Sequence, residues 1–308
     1  MKTRLCFALM LCSAFSTQSH AADSNTSWYH DKLTIAPSLG LLSTSSGESF
    51  YEKNNKTTQI DWRVSNTPVL KLSMDYTLDL QKTIYARLWT TLQKKTGTLN
   101  AYDWGENPQD NWTEYSHHPN SPLNHAYEID VGVSMPLYTN PAWKHDVLGG
   151  FQFSRYNWSS YGGDYWYGSG DDVGSFPPNE LGADYTQKLS ALYIGLATRY
   201  THQQWTINAV LKGSPLARIE YADNHAMFNL HFKGQVKNLW YLGSNVSVAY
   251  AMTPRLQLSM DFTYSIFFEK QGSIDMRSNS NNGKTFHRDS ATAYNINRLL
   301  TFGARYSF

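Results

Sequence analysis

Residues 293–308 read Ala-Tyr-Asn-Ile-Asn-Arg-Leu-Leu-Thr-Phe-Gly-Ala-Arg-Tyr-Ser-Phe. From Leu300 the side chains alternate: Leu300, Phe302, Ala304, Tyr306 and Phe308 fall on one face of a strand, and Thr301, Gly303, Arg305 and Ser307 on the other. A strand's period of two turns one set toward lipid and the other toward a polar interior. Residues 256–266 repeat the pattern, with Leu256, Leu258, Met260, Phe262, Tyr264 and Ile266 set against Gln257, Ser259, Asp261, Thr263 and Ser265. A helix of period 3.6 produces no such alternation. Together with the terminal aromatic, the pattern predicts a β-barrel of the bacterial outer membrane.

The beginning of the chain agrees. Lys2 and Arg4 precede an apolar run from Leu5 to Phe15, and Ser19-His20-Ala21 offers small residues where a signal peptidase reads. The run is too short to span a bilayer, so residues 1–21 are expected to be a removed signal peptide. Both cysteines, Cys6 and Cys12, lie inside it, so the mature region, 22–308, is expected to hold no disulfide. A mean hydropathy of -0.50 suits a barrel, since only alternate residues of a short band face lipid. The 21 Tyr, 14 Phe and 10 Trp supply more aromatics than a core needs, and interfacial girdles would use them. A secreted β-sandwich rich in Tyr is the bland alternative, disfavoured by the long strands and by Phe308. Without Lys2 and Arg4 the mature chain carries 24 basic against 25 acidic residues; such a balance gives no reason to expect a nucleic-acid partner.

No linker or composition break divides residues 22–308, which read as one domain. Tight polar turns are expected at Asp79–Gln81, Thr139–Trp143, Thr201–Gln204 and Thr253-Pro254. Longer loops are expected at Glu52–Thr57, Gly105–Leu123, Gly168–Gly182, Ala226–His231 and Ser278–Ser290. Four short turns and five long loops imply an all-β fold, a ten-stranded antiparallel transmembrane barrel. Its strands exceed the roughly 10 residues needed to cross a bilayer, so the barrel is expected to extend beyond the outer leaflet on its loop side.

Two regions carry residues suited to chemistry. Asp223-Asn224-His225 ends the strand that begins near Trp205. Residues two apart on a strand point the same way, with Cα atoms about 6.5 to 7 Å apart, close enough for a carboxylate to orient an imidazole. Asp103-Trp104 closes the strand rising from Lys82, and the loop after it reads Trp112-Thr113-Glu114-Tyr115-Ser116-His117-His118-Pro119. No Cys or tight carboxylate cluster joins His117, His118 and His125, so no metal site is expected. His118 reads as a loop stabiliser and Gly162-Gly163 as a backbone device in a strand.

That loop resembles the omptin family of outer-membrane proteases, whose counterpart runs Trp-Thr-acid-x-Ser-x-His-Pro. Ser38-Leu39-Gly40, Asp61-Trp62, Ser154-Arg155-Tyr156, Gly162-Gly163, Asp171-Asp172-Val173-Gly174-Ser175-Phe176-Pro177 and Tyr193-Ile194-Gly195-Leu196 extend the resemblance in order over essentially the whole mature region. It implies a ten-stranded barrel whose mouth holds an Asp-x-His pair facing an Asp-x-Asp pair, with a water activated between them. Asp223 and His225 match the first pair, His225 as general base and Asp223 fixing its tautomer. Asp103 matches the second acid of the other pair. Ala101 stands where the first acid belongs, a loss that could cost a factor of about 10² to 10⁴; Glu106 and Asp110 are the loop acids nearest to substitute.

The resemblance also implies cleavage near basic residues. Glu48 matches an acid at the floor of the family's first pocket, Tyr221 replaces that pocket's second acid, and Glu114 stands where an Asp serves the residue after the cut. A weakened or altered preference for Arg follows, with Tyr221 offering a ring to stack on. Lipopolysaccharide is implied as an activator, with Arg155, Lys188 and Lys237 at matching positions and Phe151 and Phe153 departing from the pattern. No other cofactor is implied. The expected partners are surface polypeptides and lipopolysaccharide, and the expected setting is the outer membrane of a Gram-negative bacterium, with a monomer's active site facing outward.

The leading expectation is therefore an endopeptidase of aspartic, Asp-His type. The alternative is a catalytically impaired relative acting as a surface adhesin or binding protein, because of Ala101. An outer-membrane phospholipase lacks an obvious serine partner for its His here. A porin is disfavoured because ten strands leave a narrow, side-chain-filled lumen.

Overall fold

Alternating side chains can be satisfied on both faces only if a strand has lipid outside and a packed interior inside, and the strands of this protein meet that condition by closing into a ring. The structure, a computed structural model, describes residues 32–52, 55–78, 82–105, 111–278 and 284–308. Its strand segments are β1 (Leu33–Glu52), β2 (Asn55–Thr77), β3 (Thr83–Thr91), β4 (Thr98–Asp103), β5 (Glu114–His118), β6 (Leu123–Thr139), β7 (Trp143–Tyr167), β8 (Asp172–His202), β9 (Trp205–His225), β10 (Leu230–Ala251), β11 (Leu256–Ser278) and β12 (Lys284–Ser307). Lower β2 pairs with β3 and upper β2 with β4; β7 likewise pairs with β6 below and β5 above. The segments β3/β4 and β5/β6 are thus two halves of single walls. Ten antiparallel walls result, and β12 closes the ring on β1 through pairs such as Leu39 with Phe302 and Gly40 with Thr301.

Outside, an apolar band runs around the wall: Leu192, Ile194 and Leu196 on β8, Leu258, Met260 and Phe262 on β11, and Phe302 on β12 are exposed. Their alternates Ser259, Ser265 and Thr301 are buried inside, as the sequence predicts. Aromatic pairs mark the lower rim, including Trp143 with Tyr200 (4.6 Å between centroids) and Trp205 with Tyr250 (4.9 Å). The interior is filled rather than open. Lys212 donates to Asp130 (2.6 Å) and Gln152 (2.9 Å), and above them Trp62 stacks on Tyr185 (5.7 Å) and packs against Trp158 (5.9 Å).

The lower turns are tight. Asn140 Oδ1 accepts from the backbone of Ala142 and Trp143, Gln203 takes a positive φ of 53° between β8 and β9, and Thr253 Oγ1 accepts from the backbone of Leu256. The expected turn at Asp79–Gln81 and the signal peptide at 1–21 lie outside the described residues. The long loops require correction. Gly168–Gly182 is a single 3-10 turn at Gly168–Gly170 and then strand, Ala226–His231 returns to strand at Leu230, Glu114–His118 is strand inside the expected loop 105–123, and the chain after 283 resumes as strand at Lys284. The barrel therefore rises above the membrane as tall hairpins: from Leu216, the uppermost exposed apolar residue of β9, to Asp223 is about 23 Å of strand.

Candidate active site

Asp223 and His225 sit at the top of β9, facing the interior. Asp223 is flanked in the ladder by Tyr185 on β8 and Phe232 on β10. Its side chain is wholly buried, whereas that of His225 keeps 24% of its surface exposed. His225 Nε2 donates to Asp223 Oδ2 across 2.7 Å. That contact fixes the tautomer and leaves Nδ1 as the nitrogen free to take a proton. Phe232 sets its ring against the imidazole at 5.3 Å and stacks on Phe50 at 5.3 Å, so the His225 wall is lined with aromatic surface.

Both groups lie above the apolar band, and their ionisation follows from their pairing. Burial pushes the Asp223 carboxyl up, but the charge and hydrogen bond of His225, with smaller help from Glu48 and the Asn224 backbone, outweigh it and hold the group below the usual range. Burial pushes the imidazole down, but the Asp223 charge and hydrogen bond and the Asp103 charge raise it above its ordinary value. The dyad is an ion pair at acid pH and a carboxylate beside a neutral, basic imidazole above that raised pKa.

Across the gap, Asp103 ends β4. Thr58, its ladder neighbour on β2, donates to Asp103 Oδ1 at 2.6 Å. Burial lifts the Asp103 carboxyl above the usual range, against the pull of the Thr58 hydroxyl and of His225. Glu114 is its ladder partner on β5, and burial followed by the charge of Asp103 raises this carboxyl too. Ala101, two residues before Asp103, lies between Ile60 and Ser116 in the ladder. No carboxylate stands at that position.

Asp103, Glu114, Ala101, His118, Asp223 and His225 line one cavity of about 380 Å³ open at the barrel mouth. Most of the remaining wall is apolar, with Phe50, Ile60, Met227, Phe228 and Phe232 among it. Glu48 and Tyr221 are not on that wall. Both are buried, at 1% and 4% exposure, and the Tyr221 ring lies over Gly234, where any Cβ would collide with it. His118 donates to the Gly162 carbonyl, contacts Ser116 Oγ at 3.0 Å and stacks on Phe176, which ties the β5 hairpin to β7. Gly162 (φ 59°) and Gly163 (φ 118°) form the bulge that receives it. His117 binds Asn100 and His125 binds Thr90, so the three histidines do not converge. Glu106 and Asp110 lie outside the described residues.

On the outer surface Arg155 and Lys188 are direct cross-strand neighbours above the apolar band. Lys237 lies beyond β9, opposite Arg218. Arg218, paired with Glu220, joins this basic face, and sequence reasoning did not single it out. Thr58, Phe50 and Phe232 were missed as well: Thr58 is 45 residues from Asp103 and becomes its partner only through the β2/β4 register.

A closed, membrane-crossing barrel with a partly exposed imidazole hydrogen-bonded to a buried carboxylate in its mouth belongs to the class of outer-membrane barrels that carry titratable groups in an open cleft. The omptin family model matches residues 29–308, and the chain belongs to that family of outer-membrane proteases. It is 34% identical over 281 residues to the plasminogen activator of Yersinia pestis, covering 90% of each chain, and 29% identical over 321 residues to protease 7 of Escherichia coli strain K12, covering all of both. The crystal structure of outer membrane protease OmpT from Escherichia coli superposes with a TM-score of 0.87 at 29% identity, over 92% of this chain and 99% of that one. The protein is thus an outer-membrane protease of a Gram-negative bacterium.

Proposed function

We propose that this protease is a monomeric endopeptidase that cleaves polypeptides outside the cell, with His225 as general base, Asp223 as its orienting partner and Asp103 facing them across a water-filled gap. A water between the walls gives a proton to His225 Nδ1 while its oxygen bonds to the scissile carbonyl carbon. Asp103 accepts the water's second O–H and holds its lone pair toward the substrate. When the tetrahedral intermediate collapses, the C–N bond breaks and the imidazolium returns its proton to the leaving amine. Asp223 stabilises the imidazolium without itself taking the proton. The observation that carries this reading is the 2.7 Å Asp223–His225 contact in the same cavity that Asp103 lines.

Cleavage near basic residues is supported by Glu114, an exposed acid on the cleft wall where a cationic side chain can reach it. Lipopolysaccharide is proposed as the activating lipid, its phosphates meeting Arg155, Lys188 and Lys237, all exposed just above the apolar band. A second reading, a binding protein or adhesin with impaired catalysis, draws on Ala101, whose ladder neighbours are Ile60 and Ser116. Mapping cleavage sites in a peptide library with wild type and His225→Ala side by side decides between them. The endopeptidase reading expects cuts next to basic residues that the variant loses by about 10² to 10⁴. The same slow background from both proteins supports the binding reading.

A further inference from the structure

Glu48 is the acid that the site has not absorbed. It lies on β1 between Ile60 of β2 and Ala293 of β12, two apolar ladder neighbours with no donor to offer. It is 1% exposed, is absent from the cavity wall, and neither of its oxygens meets an N–H or O–H donor among the described residues. Its polar neighbour is Asp223, whose carboxyl is within hydrogen-bonding reach. Asp223 spends Oδ2 on His225, and its Oδ1, with the Asn224 backbone N–H close by, meets no side-chain donor among the described residues.

Two carboxyl groups placed together in a dry interior hold one negative charge between them. His225 lies beside Asp223, so the charge stays there and the proton stays on Glu48. Burial, then the charge of Asp223 and the hydrogen bond with it, push the Glu48 carboxyl well up. A cation entering from the cleft would have to pass Asp223 and lose its water. Tyr221, packed on Gly234 and against Tyr185 at 6.0 Å between centroids, fills the space alongside.

We propose that Glu48 is a positioning residue: as a carboxylic acid it donates a hydrogen bond to Asp223 from the buried side, holding that carboxylate in line with His225, and it does not floor a pocket for a basic side chain. The inference rests on the Asp223–His225 dyad being the catalytic base. The chain of contacts is Glu48 to Asp223 to His225, with one end sealed and the other open to water. The side chain preceding the cut then meets the apolar wall of Phe50, Ile60 and Phe232.

The test compares Glu48→Gln and Glu48→Leu with wild type in lipopolysaccharide-containing vesicles, on two fluorogenic peptides that differ by Arg or Leu before the scissile bond. A Gln amide can donate as the acid does; with it, kcat and KM are expected within about 3-fold of wild type on both peptides. Leu cannot donate, and kcat is expected to fall about 10- to 100-fold on both peptides with KM little changed. The groups facing the pair are Tyr185 and Tyr221 around Glu48, and Asp103 and His118 around His225; none of them changes in these variants. Without a donor the Asp223 charge supports the imidazolium more strongly, so the acid limb of kcat/KM moves to higher pH in Glu48→Leu and stays in place in Glu48→Gln.

A selective rise in KM for the Arg peptide in Glu48→Gln, with the Leu peptide unaffected, would mean that Glu48 binds substrate cations and would overturn the proposal. So would a Glu48→Leu protein with wild-type kcat and pH profile. If Glu48→Leu does not fold, the Gln variant decides by itself through the Arg peptide. A His225→Ala variant as active as wild type is a different failure, that of the dyad.

Discussion

The two walls of the cleft are built to different standards. On the His225 side a fully buried Asp223 is held by ladder neighbours on both flanks and an imidazole on one oxygen, with Glu48 proposed behind it, and the stacked rings of Phe50 and Phe232 line the wall beside His225. The Asp103 side stands on the short upper segments β4 and β5, six and five residues long, and carries an alanine where a second acid is expected. Among the described residues Asp103 has one hydroxyl donor, Thr58, and its ladder partner Glu114 is exposed at the rim. On the proposed mechanism the base is preorganised, whereas among the described residues the water would rely on the Asp103 carboxylate opposite it. Geometry at the base alone does not set the rate if the water it deprotonates is loosely held.

Removing the remaining acid should therefore give the largest effect, and restoring the missing one should sharpen the contrast. Asp103→Asn is expected to lower kcat about 10² to 10⁴-fold, and Ala101→Asp to raise it by about 10-fold or more, both read from initial rates on one peptide. An Ala101→Asp protein slower than wild type would mean that the depleted wall is already complete, contradicting the comparison. A smaller effect is expected at the rim. Glu114→Gln should raise KM about 3- to 10-fold for peptides with a basic residue after the cut, leaving kcat within a few-fold. A fall in kcat at constant KM would instead assign Glu114 to the water.

How much of this could be read from the sequence depended on whether a residue's surroundings were local. Within the bilayer one face of each strand meets hydrocarbon, so Leu256–Ile266 and Leu300–Phe308 announce themselves by period two. Above the bilayer both faces are wet and the period vanishes. Gly168–Gly182 and Ser278–Ser290, polar and rich in Gly, Ser and Asn, therefore read as loops although most of their described residues are strand. Asp223 and His225 were legible because their contact spans two residues, and Asp103 through the resemblance of the loop that follows it. The Thr58–Asp103 bond depends on register across 45 positions. Glu48 was expected at the floor of the first pocket; its burial off the cavity wall depends on strands far apart in sequence meeting around one point, which no linear motif reports.

The most direct test of the central claim is the pH dependence of kcat/KM for wild type and Asp223→Asn. His225 must be neutral to accept a proton, and the Asp223 charge and hydrogen bond raise its pKa above the ordinary value of 6.5. Activity of the wild type should thus rise with pH through a limb lying above 6.5. Asp223→Asn removes the charge that stabilises the imidazolium, so the limb should move to lower pH while the plateau falls by about 10² or more. A limb that stays in place in the variant would contradict the assignment of His225 as a base oriented by Asp223.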